Sequence, residues 1–278
     1  MIFKEWLRFI YGMAMGTSVP YIKPTNRFMW PTALKKVDQQ FGLFLGGSCV
    51  CGIYKSESHS VVINTNAGAA AQQLHQIIEH EYKAPQYLVF NTSLSNDFIS
   101  GNKNYPPLTK YYIPKVSDQV LQAEWPNKPD AIEKISEERI FKFDDENILV
   151  VPVLESASHI DLAVFFEKRK TLFLGALFFN HIHPILRPLE GMNVSNWIRN
   201  LEKLQERFKP ELIIPAEGDP ANAQEFKDFI SYLKALSDPQ IEFSECRKIY
   251  DWIEIPGQTS LEENFDLLRE NIKSFTKF

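Results

Sequence analysis

Residues 91–102 read Asn91-Thr92-Ser93-Leu94-Ser95-Asn96-Asp97-Phe98-Ile99-Ser100-Gly101-Asn102 and bring two hydroxyls, Ser93 and Ser95, close to the carboxylate of Asp97. A serine attacks a carbonyl only when a base takes its proton. Asp97 and, further along the chain, His159 are the evident helpers. The chain has no Gly-x-Ser-x-Gly elbow, the strained turn that lifts a nucleophilic serine out of an α/β sheet. The alternative reading is that both hydroxyls bond neighbouring backbone and that Asp97 holds its own turn, as aspartates do.

A second group of polar residues lies in the C-terminal half. His181 and His183 flank Ile182, and an extended His-x-His presents both rings on one side. With Asp97 and Glu217 they would make a relocated metal site; otherwise they form a rim that touches a ligand or partner, since loops at strand ends carry function in such folds. Cys49 and Cys51 also share a face of a strand, either as a metal-binding pair or as small buried apolar residues.

The elements that must position these groups follow from periodicity. Residues 48–54 and 60–65 read as a hairpin around the polar turn Ser56-Glu57-Ser58-His59. A helix follows with Ala70, Leu74, Ile77 and Ile78 on one face, then the strand Tyr87-Leu88-Val89-Phe90, at whose end the serine-rich stretch begins. Residues 103–140, punctuated by Pro106, Pro107, Pro114, Pro126 and Pro129, predict loops with one or two short helices. Their aromatics, Tyr105, Tyr111, Tyr112 and Trp125, read as an exposed rim for a ligand or partner or as core. Three strands are expected at 147–154, 161–167 and 171–179, with a turn at Glu167-Lys168-Arg169-Lys170. A helix from about Ser195 carries Trp197, Leu201, Leu204 and Phe208 in step, a strand covers 211–215, and a helix covers 222–236. A last helix starts at the capping box Ser260-x-x-Glu263. Short apolar strands alternating with helices predict sheets covered by helices, an α/β class.

Bulk properties narrow the function classes. The 278 residues are 44% hydrophobic, which supports a large core. We expect an N-terminal extension over 1–40 that packs on the body and a single domain over 41–278. A net charge of −5 argues against nucleic acid as a partner. No apolar run approaches the roughly 18 residues of a membrane span. Three cysteines, Cys49, Cys51 and Cys246, form no disulfide framework and fit a reducing compartment. Lys4 and Arg8 before the apolar Phe9–Met15, which ends in the small-x-small triplet Ala14-Met15-Gly16, have the form of a secretory signal; the alternative is an N-terminal helix on the body.

Residues 91–102 resemble the metallo-β-lactamase superfamily motif Thr-His-x-His-x-Asp-His-x-x-Gly-Asn. Thr92, Asp97, Gly101 and Asn102 keep their types, while Ser93, Ser95 and Phe98 stand where the family has histidines. Ile63-Asn64-Thr65-Asn66 is similar to the family's Ile-Asp-Thr-Gly turn. Ala157–Phe165 is similar to His-Thr-x-Gly-Asp-Leu-Val-Val-Tyr, with Ala157 in the place of a ligand histidine. Leu174-Gly175-Ala176-Leu177-Phe178 is similar to Ala-Gly-Asp-Leu-Phe, with Ala176 at the bridging aspartate. Ile214-Pro215-Ala216-Glu217-Gly218 is similar to Val-Pro-Gly-His-Gly, with Glu217 at the last histidine. The pair His183-Pro184, the Trp197 helix and the tail Asn264–Ile272 look like the quinoprotein-relay-type members of the superfamily.

The resemblance implies a four-layer αββα sandwich with its site at the strand ends between the sheets. It also implies a zinc pair that activates water. The residues at the ligand positions do not support that second implication, because zinc takes imidazole, thiolate or carboxylate donors. The expectation is therefore a metallo-β-lactamase-fold protein that has lost zinc-dependent hydrolysis and binds a small molecule or protein, with no cofactor. The former metal pocket would be Ser93, Ser95, Asp97, Phe98, Ala157, Ala176 and Glu217, rimmed by His159, His181 and His183. The alternative is a remodelled hydrolase using one relocated metal or none.

Overall fold

The computed structural model describes residues 31–250, apart from Asp130, His183, 185–191, Pro239, 243–244 and 247–248. The signal-like segment, the capping box at Ser260 and the tail 264–272 lie outside the described residues.

Two sheets form the centre. Strands β1 (Ala33–Lys36), β2 (Phe41–Leu45), β3 (Cys51–Lys55), β4 (His59–Ile63), β5 (Gln86–Phe90), β6 (Lys110–Pro114) and β7 (Ile132–Ile135) make a seven-stranded sheet in chain order. Strands β8 (Arg139–Phe143), β9 (Glu146–Leu154), β10 (Ile160–Phe166), β11 (Thr171–Gly175) and β12 (Leu212–Pro215) make a five-stranded sheet. The first four strands pair antiparallel, and β4 to β7 then run parallel. In the second sheet β11 and β12 run parallel, across a connection that contains α4 (Val194–Phe208), and the other pairs are antiparallel. The other helices are α1 (Gly68–Glu81), the single turn α2 (Asn96–Ile99), α3 (Asp118–Glu124) and α5 (Ala223–Ser237). No helix among the described residues is long and apolar enough to cross a membrane.

Alternation along the strands divides the core into layers, since successive side chains face opposite sides of a sheet. Tyr54, Val61, Ile63, Leu88 and Phe90 of the first sheet pack with Leu162, Val164, Phe166 and Phe173 of the second in one inner core. Ring contacts across this interface include Phe41 with Phe166 at 5.0 Å. The intervening residues face outward. Ile53, Val62 and Val89 share a cluster with Leu74 and Ile78 of α1, while Phe165 stacks on Phe208 of α4 at 4.5 Å. The result is helix, sheet, sheet, helix, the four-layer arrangement the resemblance implied.

The helices at 194–208 and 223–237 fall where their apolar periods place them. Trp197, Leu201, Leu204 and Phe208 are all buried. Asn222 caps α5, accepting hydrogen bonds from the Gln224 and Glu225 amides while Glu225 reaches back to the Asn222 amide. The segment 103–140 differs from expectation: besides α3 it holds β6, β7 and the start of β8. The prolines lie between or at the ends of these strands, where they do not interrupt a ladder. Strand β11 is shorter than expected and stops at Gly175, whose φ is +50°. The aromatics of this segment divide: Tyr105, Tyr111 and Tyr112 are buried core, and Trp125 is half-buried.

Candidate functional site

The strand ends carry the serine-rich loop, and a dense set of buried amide and hydroxyl bonds fixes it. After β5, Asn91 and Thr92 are fully buried. The Thr92 amide and hydroxyl both donate to Asn64 Oδ1, at 2.8 and 3.0 Å. The Phe98 carbonyl accepts from the Thr65 amide at 2.9 Å, Thr65 Oγ1 at 3.0 Å and Asn91 Nδ2 at 3.0 Å. Asn102 closes the loop, its side-chain nitrogen donating to Asn91 Oδ1 at 2.9 Å. Gly101 has no alternative, because a Cβ there would lie 2.0 Å from the Thr65 carbonyl oxygen.

Asn66 extends this network to the β2–β3 turn. Its Oδ1 accepts from the Ser48 amide at 2.9 Å, and its Nδ2 donates to the Cys49 carbonyl at 2.7 Å. Ser48 Oγ in turn donates to the Asp97 carbonyl at 2.9 Å. Both Asn64 and Asn66 have φ of 60°, a conformation asparagine tolerates better than branched residues. The sequence shows these residues as departures from Ile-Asp-Thr-Gly; their work as bracing was not legible there, and neither was the Asn91–Asn102 pair. The signal available was an unusual density of asparagine and hydroxyl residues at strand ends.

Backbone contacts draw in the other loops. The Leu162 amide donates to the Thr92 carbonyl, and the Val50 amide to the Ala216 carbonyl, each at 2.8 Å. Gly175 approaches so closely that a Cβ would lie 2.1 Å from Thr92 Oγ1. Trp197 Nε1 donates to the Leu177 carbonyl at 2.8 Å, which secures the loop after β11. Stretches 92–98, 175–177 and 216–217 therefore converge at one end of the sandwich.

The individual positions differ in exposure. Ser93, Ser95, Asp97 and Ala176 are half-buried, whereas Phe98, Ala157 and Glu217 are buried. Phe98 sits in the outer core with Leu94 and Ile99. Ala157 lies in the β9–β10 hairpin, where Ser156 Oγ accepts from Asn200 Nδ2 at 2.9 Å and Ser158 Oγ donates to Asp161 Oδ2 at 2.9 Å.

The candidate rim divides. His159 is exposed, whereas Ala157 is buried. The tight hairpin, with the Ser156 amide bonded to the Ser158 carbonyl and Glu155 at φ 47°, breaks strand geometry there. The His181 ring stacks on Tyr250 at 5.0 Å, nearly parallel, and its Nε2 lies 3.9 Å from Glu225 Oε1. The Tyr250 hydroxyl accepts from the His181 amide and donates toward the Phe179 carbonyl. Burial pushes this phenol well above its ordinary pKa. His183 lies outside the described residues.

Cys49 and Cys51 are buried free thiols with their sulfurs 3.7 Å apart. Burial first, then the neighbouring Cys51, pushes the Cys49 thiol well above its usual range, so it is a neutral, weakly reactive group.

A zinc pair does not fit these side chains. The positions aligned with the family's ligands supply two carboxylates, two hydroxyls, two methyls and a phenyl ring. Zinc sites use at least three nitrogen, sulfur or carboxylate donors. Among the described residues, no three His, Cys, Asp or Glu side chains are grouped so as to hold a metal ion.

Comparison with known proteins bears on the fold. No protein-family model matches the sequence, and a search of curated proteins finds no match either. Among solved structures, the chain is similar to a metallo-β-lactamase from Pontibacter korlensis, with a TM-score of 0.62 at 15% identity over 73% of this chain and 99% of that one. It is similar to the DIM-1 metallo-β-lactamase, with a TM-score of 0.62 at 17% identity over 75% of this chain and 100% of that one. It is also similar to a stereoselective inverting sec-alkylsulfatase from Pseudomonas sp., with a TM-score of 0.64 at 13% identity, covering 86% of this chain and 50% of that enzyme. Two sheets layered between helices, together with these likenesses, give this chain the metallo-β-lactamase fold.

Proposed function

We propose that this chain is a binding protein on a metallo-β-lactamase scaffold, one that has lost zinc-dependent hydrolysis. Its strand-end cleft, around Ser93, Ser95, Asp97, Phe98, Ala157, Ala176 and Glu217, takes a small molecule or a segment of a partner protein. The observation that carries the reading is the contrast between bracing and donors. The loop is held by buried bonds from Asn64, Thr65, Asn66, Asn91 and Asn102, while hydroxyl, methyl and phenyl groups occupy most of the donor positions.

Phe98 supports the same reading. A phenyl ring offers no donor to a metal ion, and this one is buried with Leu94 and Ile99. Ser93, Ser95 and Asp97 remain half-buried at the cleft, where hydroxyls and a carboxylate can bond a polar ligand.

An activity screen tests this. A panel of ester, thioester and lactam substrates is assayed with and without added zinc, with Ser95→Ala and Asp97→Ala as controls. The proposal expects no turnover that depends on zinc or on either side chain. Zinc-dependent hydrolysis that Asp97→Ala abolishes overturns it.

A further inference from the structure

A second cleft opens on the flank of the sandwich, between the turn after α2 and the loop after α3, with a volume of about 320 Å³. None of the strand-end positions Ser93, Ser95, Asp97, Phe98, Ala157, Ala176 and Glu217 lines it, so the site is independent of the function proposed above.

Aromatic rings and prolines form one wall among polar groups. Trp125 packs edge-to-face with Tyr111 at 5.2 Å, and Tyr111 is pinned by a hydrogen bond from its hydroxyl to the Asn102 carbonyl at 2.9 Å. Tyr105 and Pro107 complete this surface. Trp125 remains half-buried, so part of the indole faces the opening. Little side-chain entropy is lost when a ligand settles on aromatic and proline walls that are already fixed.

Two charges of opposite sign line the same cleft, Lys103 from the turn after α2 and Glu124 at the end of α3. Neither is engaged in an ion pair or a side-chain hydrogen bond with any described residue. An anion alone would meet Glu124, and a cation alone would meet Lys103. A purely apolar ligand would leave both charges to water and gain nothing from them. The ligand that satisfies both, and covers the indole, carries one carboxylate, one ammonium and an apolar body.

We propose that this flank cleft binds a small zwitterion with a large apolar side chain, the chemistry of a free aromatic or branched amino acid. Lys103 takes the carboxylate, Glu124 takes the ammonium, and Trp125 with Pro107 takes the side chain.

The test is calorimetric titration of the full chain with tryptophan, tryptamine, indole-3-propionate and indole. Tryptophan lacks nothing; each of the other three removes one or both charges. Tryptophan is expected to bind about fivefold tighter than either singly charged analogue, the scale of an exposed ion pair. Lys103→Gln should erase the preference for tryptophan over tryptamine, and Glu124→Gln its preference over indole-3-propionate. Both side chains are exposed, so these variants should keep the fold, which circular dichroism checks. Trp125→Ala should weaken every ligand. Binding no tighter for tryptophan than for indole overturns the proposal, as does absence of binding by all four. A proline-rich peptide that binds tighter than tryptophan, with the same dependence on Trp125, also overturns it and makes the cleft a peptide groove.

Discussion

Thr65 grips Phe98 twice: its amide and its hydroxyl both donate to the Phe98 carbonyl, at 2.9 and 3.0 Å. This pair joins the turn after β4 to the loop after β5. The hydroxyl also lies 2.9 Å from Asn102 Oδ1. Thr65→Val keeps the shape and removes the hydroxyl bonds inside the core. We expect a loss of about 1–3 kcal/mol in urea unfolding, the cost of leaving buried acceptors unpaired. Thr65→Ser should recover most of that loss. Equal stability of all three proteins would show that the brace contributes nothing.

The Phe98 side chain should matter as packing. It is 4% exposed among Leu94 and Ile99. Phe98→Ala should cost about 3–5 kcal/mol, the range for truncating a buried aromatic. Phe98→Leu should cost much less. A ligand-contacting ring at the surface would instead give near-neutral stability for both variants.

Gly175 presents a steric test. Its φ of +50° and its approach to Thr92 leave no room for a methyl group. Gly175→Ala should destabilise by about 1–3 kcal/mol through strain in the left-handed region alone. The close contact adds to this unless Thr92 moves. Pairing it with Thr92→Ser leaves the hydroxyl in place and should give no relief, whereas Thr92→Ala removes the nearest clash, leaves the Thr92 Cβ at 2.8 Å and should recover only part of the steric cost, measured against Thr92→Ala alone. Thermal denaturation distinguishes the two.

Away from the strand-end cleft, Arg169 donates to Asp38 at 2.8 Å and to the fully buried Glu146 at 2.9 Å, with its guanidinium over Tyr54. Burial alone would raise the Asp38 carboxyl, but the Arg169 bond and the Gln40 and Phe41 amides bring it below its ordinary value. A carboxylate held low in the folded state adds stability above the unfolded pKa, about 3.9, and loses it as pH falls through the lower folded value. Asp38→Asn should therefore flatten the loss of stability below about pH 4. Its contribution is small and salt-dependent because Asp38 is 41% exposed. Arg169→Gln should cost far more, about 3–5 kcal/mol, since it removes the charge partner of the buried Glu146 carboxylate and leaves it only the Asn147 and Lys168 amides.

Some of this architecture was legible in the sequence and some was not. The Trp197 helix showed itself because four large apolar residues repeat at helical spacing on an otherwise charged segment. The inner strands Val61–Ile63 and Leu88–Phe90 were legible as apolar runs between breakers. Strands β7 and β8 were hidden because each is the last strand of its sheet. Such strands carry charges, here Glu133, Lys134, Arg139 and Lys142, which blur the apolar pattern. The short strand β1, Ala-Leu-Lys-Lys, is obscured for the same reason, and β2 because a glycine interrupts its apolar residues.

The strand-end loop was legible as a motif, but its bracing was not. Which amide bonds which carbonyl depends on Asn64 and Asn66 adopting positive φ, and sequence spacing does not report that. The exposure of His159 was not legible for a related reason. The rule that residues two apart share a face applies within a strand, and the hairpin at 155–159 is not one. His181 turns toward Tyr250 and Glu225, residues far along the chain, through a contact that no local pattern encodes.

The central claim concerns metal. The full chain, expressed in zinc-supplemented medium and purified without chelator, is measured by elemental analysis for zinc, iron and manganese per protein chain. The account predicts only background amounts of each, unchanged by Asp97→Ala. One or more equivalents of a tightly held metal, lost on Asp97→Ala, would contradict it.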